Sequence, residues 1–239
     1  SLLPISAADN SVGALLPMSD GGMMVGGDFT HLGDKAITLA WLDREGMPRP
    51  DFHAPELRSS TVAYPGMFPA RINCLVRDSA DRILVGGFLG VADQRPAHSL
   101  IRLHSTGRRD DGFKACSFDG GVFCVVEQSD GKLLVGGDFE GADGIPAPGF
   151  ARLNGDGSLD GNFPGLSDSK GRIETLARLP DGRILAGGFL ESFHGRPVRR
   201  IARFLADGSF DITFPLLKSG ASGRVKVIAA LPDGRAYIG

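Results

Sequence analysis

The chain repeats one phrase four times and begins a fifth. It reads Ser19-Asp20-Gly21-Gly22-Met23-Met24-Val25-Gly26-Gly27-Asp28-Phe29, then Ser129-Asp130-Gly131-Lys132-Leu133-Leu134-Val135-Gly136-Gly137-Asp138-Phe139. Pro180-Asp181-Gly182-Arg183-Ile184-Leu185-Ala186-Gly187-Gly188-Phe189 is a third version, and Ser79 to Gly87 a looser one. A last copy runs from Pro232 to Gly239, and successive copies are separated by 60, 50, 51 and 52 residues. A period of this size belongs to repeat architectures, in which each unit buries its apolar face against its neighbours. Such repetition specifies a scaffold strongly and a function weakly.

Each copy opens on a short apolar run at Val12, Ile72, Val122, Ile173 or Val225, which predicts a strand. An Asp-Gly turn follows, because glycine takes positive φ at no steric cost and the aspartate side chain closes the turn. The next strand holds Met24-Val25, Leu84-Val85, Leu134-Val135 and Leu185-Ala186. It is apolar on both faces and is predicted to be buried on both. It ends in Gly-Gly, and Gly26, Gly87, Gly137 and Gly188 are expected where sheets approach closely. A loop with Pro96, Pro146 and Pro197 in register leads to a third strand, Leu100-Ile101-Arg102-Leu103 and its equivalents. The first copy has Leu39-Ala40-Trp41-Leu42 there, without the arginine. A second turn precedes Phe52, Phe113, Phe163 and Phe214, which read as packing anchors between neighbouring units. A fourth strand fits near these rings, but the sequence does not demonstrate one.

Three or four antiparallel strands in roughly 50 residues fit a propeller blade better than other repeat classes. No segment has helical periodicity over three turns. The expected fold is therefore an all-β β-propeller, one domain over residues 1–239. Its repeats span approximately 12–71, 72–121, 122–172 and 173–224, with a partial fifth at 225–239, and further blades are expected to complete a larger ring. The incomplete fifth repeat predicts an exposed edge capable of self-association. Glycine is 35 of 239 residues, about twice the usual share, and the excess sits at the repeated turns. The net charge of −2, with scattered Lys and Arg, argues against nucleic acid as a partner. No apolar run is long enough for membrane insertion.

The phrase resembles the delta-60 repeat of bacterial, often secreted or surface-associated, proteins. The third copy matches nearly throughout, from Asp130 to Phe163. The fourth departs at Phe189 and Leu205, the second loses the Asp-Gly order and carries His104-Ser105-Thr106-Gly107, and the first lacks the arginine. The resemblance covers almost the whole chain. It implies a propeller-like β-repeat and an extracellular or cell-envelope location, and brings no catalytic residues with it.

Several residue sets invite a chemical reading. Asn154, Asp156 and Asp160 resemble a calcium loop around a glycine turn. Their spacing offers too few carboxylates, and turn formation is the preferred reading, so no metal and no cofactor are expected. Arg102, Arg152 and Arg203 recur on one strand. They either bind an anion or fasten one turn through Asp110, Asp160 and Asp211, and the second role is favoured. His31, His53, His98, His104 and His194 share no aligned position. Cys74 and Cys124 fill a slot that wants a small apolar group, and Cys116, in a loop, reads as the more reactive thiol. One segment breaks the period: 20 residues separate Phe52 from Ile72, against 9 to 11 in the other copies. Insertions in repeat proteins map to surface loops, so Tyr64, Met67 and Phe68 are the candidate binding residues. Packing of these side chains on the adjacent blade is the alternative.

These features favour a non-catalytic module that binds protein or glycan or serves as a scaffold in a secreted or envelope protein. The competing reading is a propeller enzyme, a hydrolase, lyase or oxidoreductase, with its site at the mouth of the channel.

Overall fold

The structure is a computed structural model that describes residues 8–59, 70–163, 170–193, 196–214, 221 and 223–239. Every regular element among the described residues is a β-strand. The chain divides into two compact units, Ser1–Ala115 and Cys116–Gly239.

The first unit holds three three-stranded antiparallel sheets, a small one of Leu57–Arg58, Val91–Ala92 and Arg95–Pro96 and two larger ones. One of the larger sheets is Val12–Pro17, Met23–Gly27 and Leu39–Leu42; the other is Arg71–Arg77, Ile83–Phe88 and Leu100–Leu103. The second unit repeats the pattern with Gly121–Glu127, Leu133–Asp138 and Phe150–Leu153, then with Lys170–Arg178, Ile184–Phe193 and Ile201–Phe204. A two-stranded pair, Ile228–Ala230 with Ala236–Ile238, ends it. In each of these blade sheets the second strand lies in the middle, and its side chains are buried on both faces. Val25, Val85, Val135 and Ala186 are buried as the pattern predicts. Removing such side chains from water contributes roughly 1.5–3 kcal/mol for each Val-to-Phe-sized residue.

The turns follow from backbone sterics. Gly21, Gly131, Gly182 and Gly234 have φ between +79° and +84° in the first hairpin. In the second copy Asp81 takes that place at φ +59°, a conformation that aspartate tolerates better than most side chains. The fourth strand is reduced to single bridges, Leu42–Pro48, Leu103–Arg109, Leu153–Leu159 and Phe204–Phe210.

The Gly-Gly pair proves to serve two purposes rather than one. The first glycine receives the next sheet: a Cβ on Gly26, Gly136 or Gly187 would lie 2.5–2.8 Å from Ile72, Ile173 or Val225. The second faces its own first strand, where a Cβ on Gly87, Gly137 or Gly188 would meet backbone oxygens of Arg71, Gly121 and Arg172 at 1.9–2.2 Å. That crowding accompanies a β-bulge in each first strand. Register shifts between Val12 and Ala14, Ile72 and Cys74, Val122 and Cys124, and Ile173 and Thr175. The extra residues are Gly13, Asn73, Phe123 and Glu174. In the fifth copy Lys226 and Val227 both donate to the Gly239 carbonyl, so two residues again oppose one. The small residue after each bulge, Ala14, Cys74, Cys124 or Thr175, pairs with the first glycine.

Candidate functional site

The recurrent charged residues are absorbed into the sheets. Arg152 donates from Nε to Asp160 Oδ2 at 2.7 Å, and its guanidinium carbon lies 4.8 Å from the centre of the Phe163 ring. Arg102 with Asp110 and Phe113, and Arg203 with Asp211 and Phe214, repeat this at 2.8 and 2.7 Å and at 4.5 and 4.7 Å. The other carboxylate oxygen accepts from the amide two residues on, at Gly112, Asn162 and Thr213. Each arginine therefore locks its own strand to its own turn, one ring below it and one carboxylate beside it. Arg152 also donates to the Asp207 carbonyl of the next repeat, and a Cβ on Gly208 would meet the Phe163 ring. Phe163 thus anchors neighbouring repeats as well as capping its arginine.

These partners hold the carboxyls below their ordinary range. For Asp160 the Lys132 hydrogen bond at 2.8 Å is the main cause, with Arg152 adding to it against burial. Thr213 and then Arg203 act on Asp211. Burial alone would raise Asp110, but Arg102 and the Gly112 amide more than offset it.

The calcium-like set does not converge on a centre. Asn154 Nδ2 donates to Ser158 Oγ, Asp156 Oδ1 accepts from the Ser158 amide and hydroxyl, and Asp160 faces two cations. Among the described residues no group of three or more His, Cys, Asp or Glu is placed to hold a metal ion. His31, His53 and His104 are exposed. His31 pairs with Asp9 at 3.2 Å, and His194 lies outside the described residues. The expectation for Cys116 is corrected: it is 2% exposed, and burial together with the neighbouring Asp143 pushes its thiol up to about 12. All three cysteines are free thiols. Tyr64, Met67 and Phe68 also lie outside the described residues. Just before them, Glu56 and Arg58, with Val91 and Gln94, line an open polar groove of about 310 Å³.

The site that spacing arguments missed sits at the bulges of the second unit. Glu174, the bulged residue of its strand, has a side chain only 7% exposed. Its two oxygens accept from Arg172 Nε at 2.9 Å and Arg224 Nε at 2.7 Å. Arg172 also reaches Asp138 at 3.4 Å and lies 6.0 Å from the Phe123 ring, the bulged residue of the preceding sheet. Glu174 raises the Arg172 pKa further. Arg172 stands directly opposite Phe189 across the strand pair, so the two side chains share a face. Phe189 in turn lies under Arg200, 4.1 Å from its guanidinium carbon. Arg200 holds a φ of +70°, where the aligned residue in the preceding repeat is Gly149 at +69°. Ser99 takes the same place in the second repeat at φ +67°, so the left-handed turn recurs with the repeat and Arg200 carries a long cation on it. One signal could have exposed this chain of residues. The position after the first β-branched residue differs in every copy, Gly13, Asn73, Phe123, Glu174 and Lys226, while the position before it is arginine in three of five, Arg71, Arg172 and Arg224.

Two segments, 128–163 and 179–214, match the family described as "Domain of unknown function (DUF5122) beta-propeller". They are the third and fourth copies, from the first turn through the ring that caps the arginine. The chain is a β-propeller. Solved propeller-like structures agree. The extracellular domain assigned to a hybrid two component system of B. thetaiotaomicron is similar over 100% of this chain and 27% of its own, at 13% identity and a TM-score of 0.58. A second extracellular domain of that organism is similar over 96% and 28%, at 12% identity and a TM-score of 0.59. Virginiamycin B lyase from Staphylococcus aureus is similar over 99% and 65%, at 13% identity and a TM-score of 0.57. The chain thus spans less than two thirds of each of these proteins, and at such identities the likeness concerns the fold alone. No curated protein matches the sequence.

Proposed function

We propose that this propeller is a non-catalytic module that binds protein or glycan through the bulge face of its second unit, where Phe123 and Glu174 stand, within a secreted or cell-envelope bacterial protein. The observation that carries this reading is the division of labour among charged residues. One recurring set of arginines, Arg102, Arg152 and Arg203, is spent on locking blades, whereas two members of a second set, Arg172 and Arg224, meet at the bulged Glu174. Residues that vary between copies occupy the bulges, and bulges re-aim side chains out of the ladder. A repeat scaffold acquires a binding face in this way, by holding its frame constant and varying positions at one end. The extracellular domains of similar fold are consistent with the location proposed.

The second reading, a propeller enzyme, has one observation in its favour: Glu174 is a carboxylate buried between two arginines. The lyase of similar fold supports it only by analogy of fold. The test is a glycan- and protein-array screen of the 239-residue chain, followed by incubation of each bound compound and analysis of products. Saturable binding with every compound recovered intact supports the module. Consumption of a bound compound, abolished in a folded Glu174→Gln variant, establishes the enzyme instead.

A further inference from the structure

The cluster at Glu174 is built in an unusual order. A buried carboxylate takes the Nε–H of two arginines, one on each oxygen. Each bond engages Nε, so each guanidinium is tethered to the carboxylate through that nitrogen. Arg224 is 42% exposed in its side chain and has Glu174 as its ion-pair partner. Arg172 is 34% exposed and spends one terminal nitrogen on a long contact to the half-exposed Asp138. Arg200 adds a third guanidinium on the same face, reached through Phe189, whose ring is 43% exposed. Arg172, Arg200 and Arg224 are thus joined through Phe189 and the buried Glu174, and Arg200 also donates to the Leu190 carbonyl at 3.4 Å.

A salt bridge made only for stability does not need this arrangement. One arginine neutralises one buried carboxylate, and a second brings like charges together at an electrostatic cost. Two guanidinium groups oriented by a common carboxylate present forked donors instead, and such forks match the planar geometry of an oxyanion. Being held in advance, they lose little rotamer entropy when a ligand arrives. The left-handed turn that carries Ser99 and Gly149 in earlier repeats here carries the third donor, Arg200.

We propose that Arg172, Arg200 and Arg224 form an oxyanion-binding site, taking a carboxylate, sulfate or phosphate group, with Glu174 as the residue that positions two of the three arginines. The proposal rests on the bulge face being a binding face. The group arrives either as a free inorganic anion or on an acidic sugar, whose ring would lie along Phe189.

Isothermal titration of the full chain at low ionic strength, with sodium sulfate, inorganic phosphate and galacturonate as separate probes, tests this. At least one probe is expected to bind saturably. Preference for sulfate or phosphate identifies a free-anion site, and preference for galacturonate identifies an acidic-sugar site. Arg224→Gln and Arg200→Gln should each weaken binding by about tenfold or more, the loss of one charge-assisted hydrogen bond. Glu174→Gln should weaken it while leaving all three arginines in place, and Arg235→Gln, at a distant exposed pair with Asp233, should leave it unchanged. Thermal melts establish that each variant is folded, and Arg224→Lys, which keeps the charge and loses the fork, serves if Arg224→Gln is not. No saturable binding of any probe overturns the site, as does binding that is equal in the wild type and in the folded arginine variants. Array ligands whose binding ignores Arg224→Gln would leave the binding module standing and remove this site from it. Consumption of a probe bound in an Arg224-dependent way would leave the site and remove the non-catalytic reading.

Discussion

The first and third blades solve the same packing problem with opposite charges. In the third blade the third strand offers Arg152, the turn offers Asp160, and Phe163 lies beneath the guanidinium. Eight residues apart in the first blade stand Trp41 and Arg49, and the cation now comes from the turn to lie 4.5 Å from the indole. Phe52 packs edge-on against Trp41, at 6.0 Å. The change propagates. Lys132, after the first turn of the third blade, pairs with Asp160; the first blade has Gly22 in that place, and Asp20 pairs with Arg49 instead. A ring, a cation and a carboxylate meet in both blades, but each is supplied by a different position. The repeat therefore conserves an interaction and not a residue, which is why the missing arginine of the first copy does not break the blade.

The largest difference should appear on cutting the pair. Asp160→Ala leaves Arg152, 10% exposed in its side chain, without its carboxylate, and should destabilise by about 3 kcal/mol. Arg49→Ala removes ion pairs with Asp20 and Asp51, whose side chains are 38% and 65% exposed, and should cost much less. Urea midpoints measured on both variants check this, and equal losses would mean that the two arrangements are equally buried.

A second pair of variants asks whether the blades share their frame. A Cβ on Gly27 would lie 2.2 Å from the Ser11 carbonyl, and one on Gly137 the same distance from that of Gly121. Gly27→Val and Gly137→Val should each destabilise by about 1–3 kcal/mol through overpacking. A neutral result in one blade would show that its bulge can shift.

A double-mutant cycle tests the exchange itself. Trp41→Arg alone sets a guanidinium beside Arg49, and Arg49→Asp alone sets a carboxylate beside Asp20. The double variant should recover about 1 kcal/mol relative to the sum of the singles. Full recovery is not expected, because the cation of the third blade cannot be added. A Cβ on Gly22 would meet the Leu42 carbonyl at 2.3 Å.

The smallest effect concerns acid. Asp160 and Asp211 have their pKa lowered from an ordinary 3.8 in the fold. A carboxyl depressed by folding stabilises fully above its unfolded value and loses that contribution as pH falls through its folded value. Melting temperature should hold from neutrality to about pH 5 and drop below about pH 4, with a shallower drop in Asp160→Asn. A loss beginning near pH 6 would implicate histidine instead.

Much of the frame was legible because it is local. Gly131 and Gly157 announce turns by backbone sterics, and Leu133 to Val135 announce a strand buried on both faces. The favoured role of Arg152 with Asp160 was likewise readable, since eight residues and one hairpin turn bring them together. Cys116 was misread because a loop position says nothing of what packs over it, and Asp143 lies beyond the reach of a spacing argument. The roles of Gly136 and Gly137 were merged because a doublet in sequence gives no sign that its members face different neighbours.

The sequence by itself determined the period, the order of strands and turns, and the all-β propeller class. Each of these follows from the φ preference of glycine and from alternation along a few residues. Only the tertiary structure decided that a bulge lifts Glu174 out of its ladder, and that Arg172 and Arg224 then share it. Arg224 stands 50 residues beyond Glu174. Residues so far apart meet when one blade packs on the next, and that packing rests on shape and burial that no local pattern records.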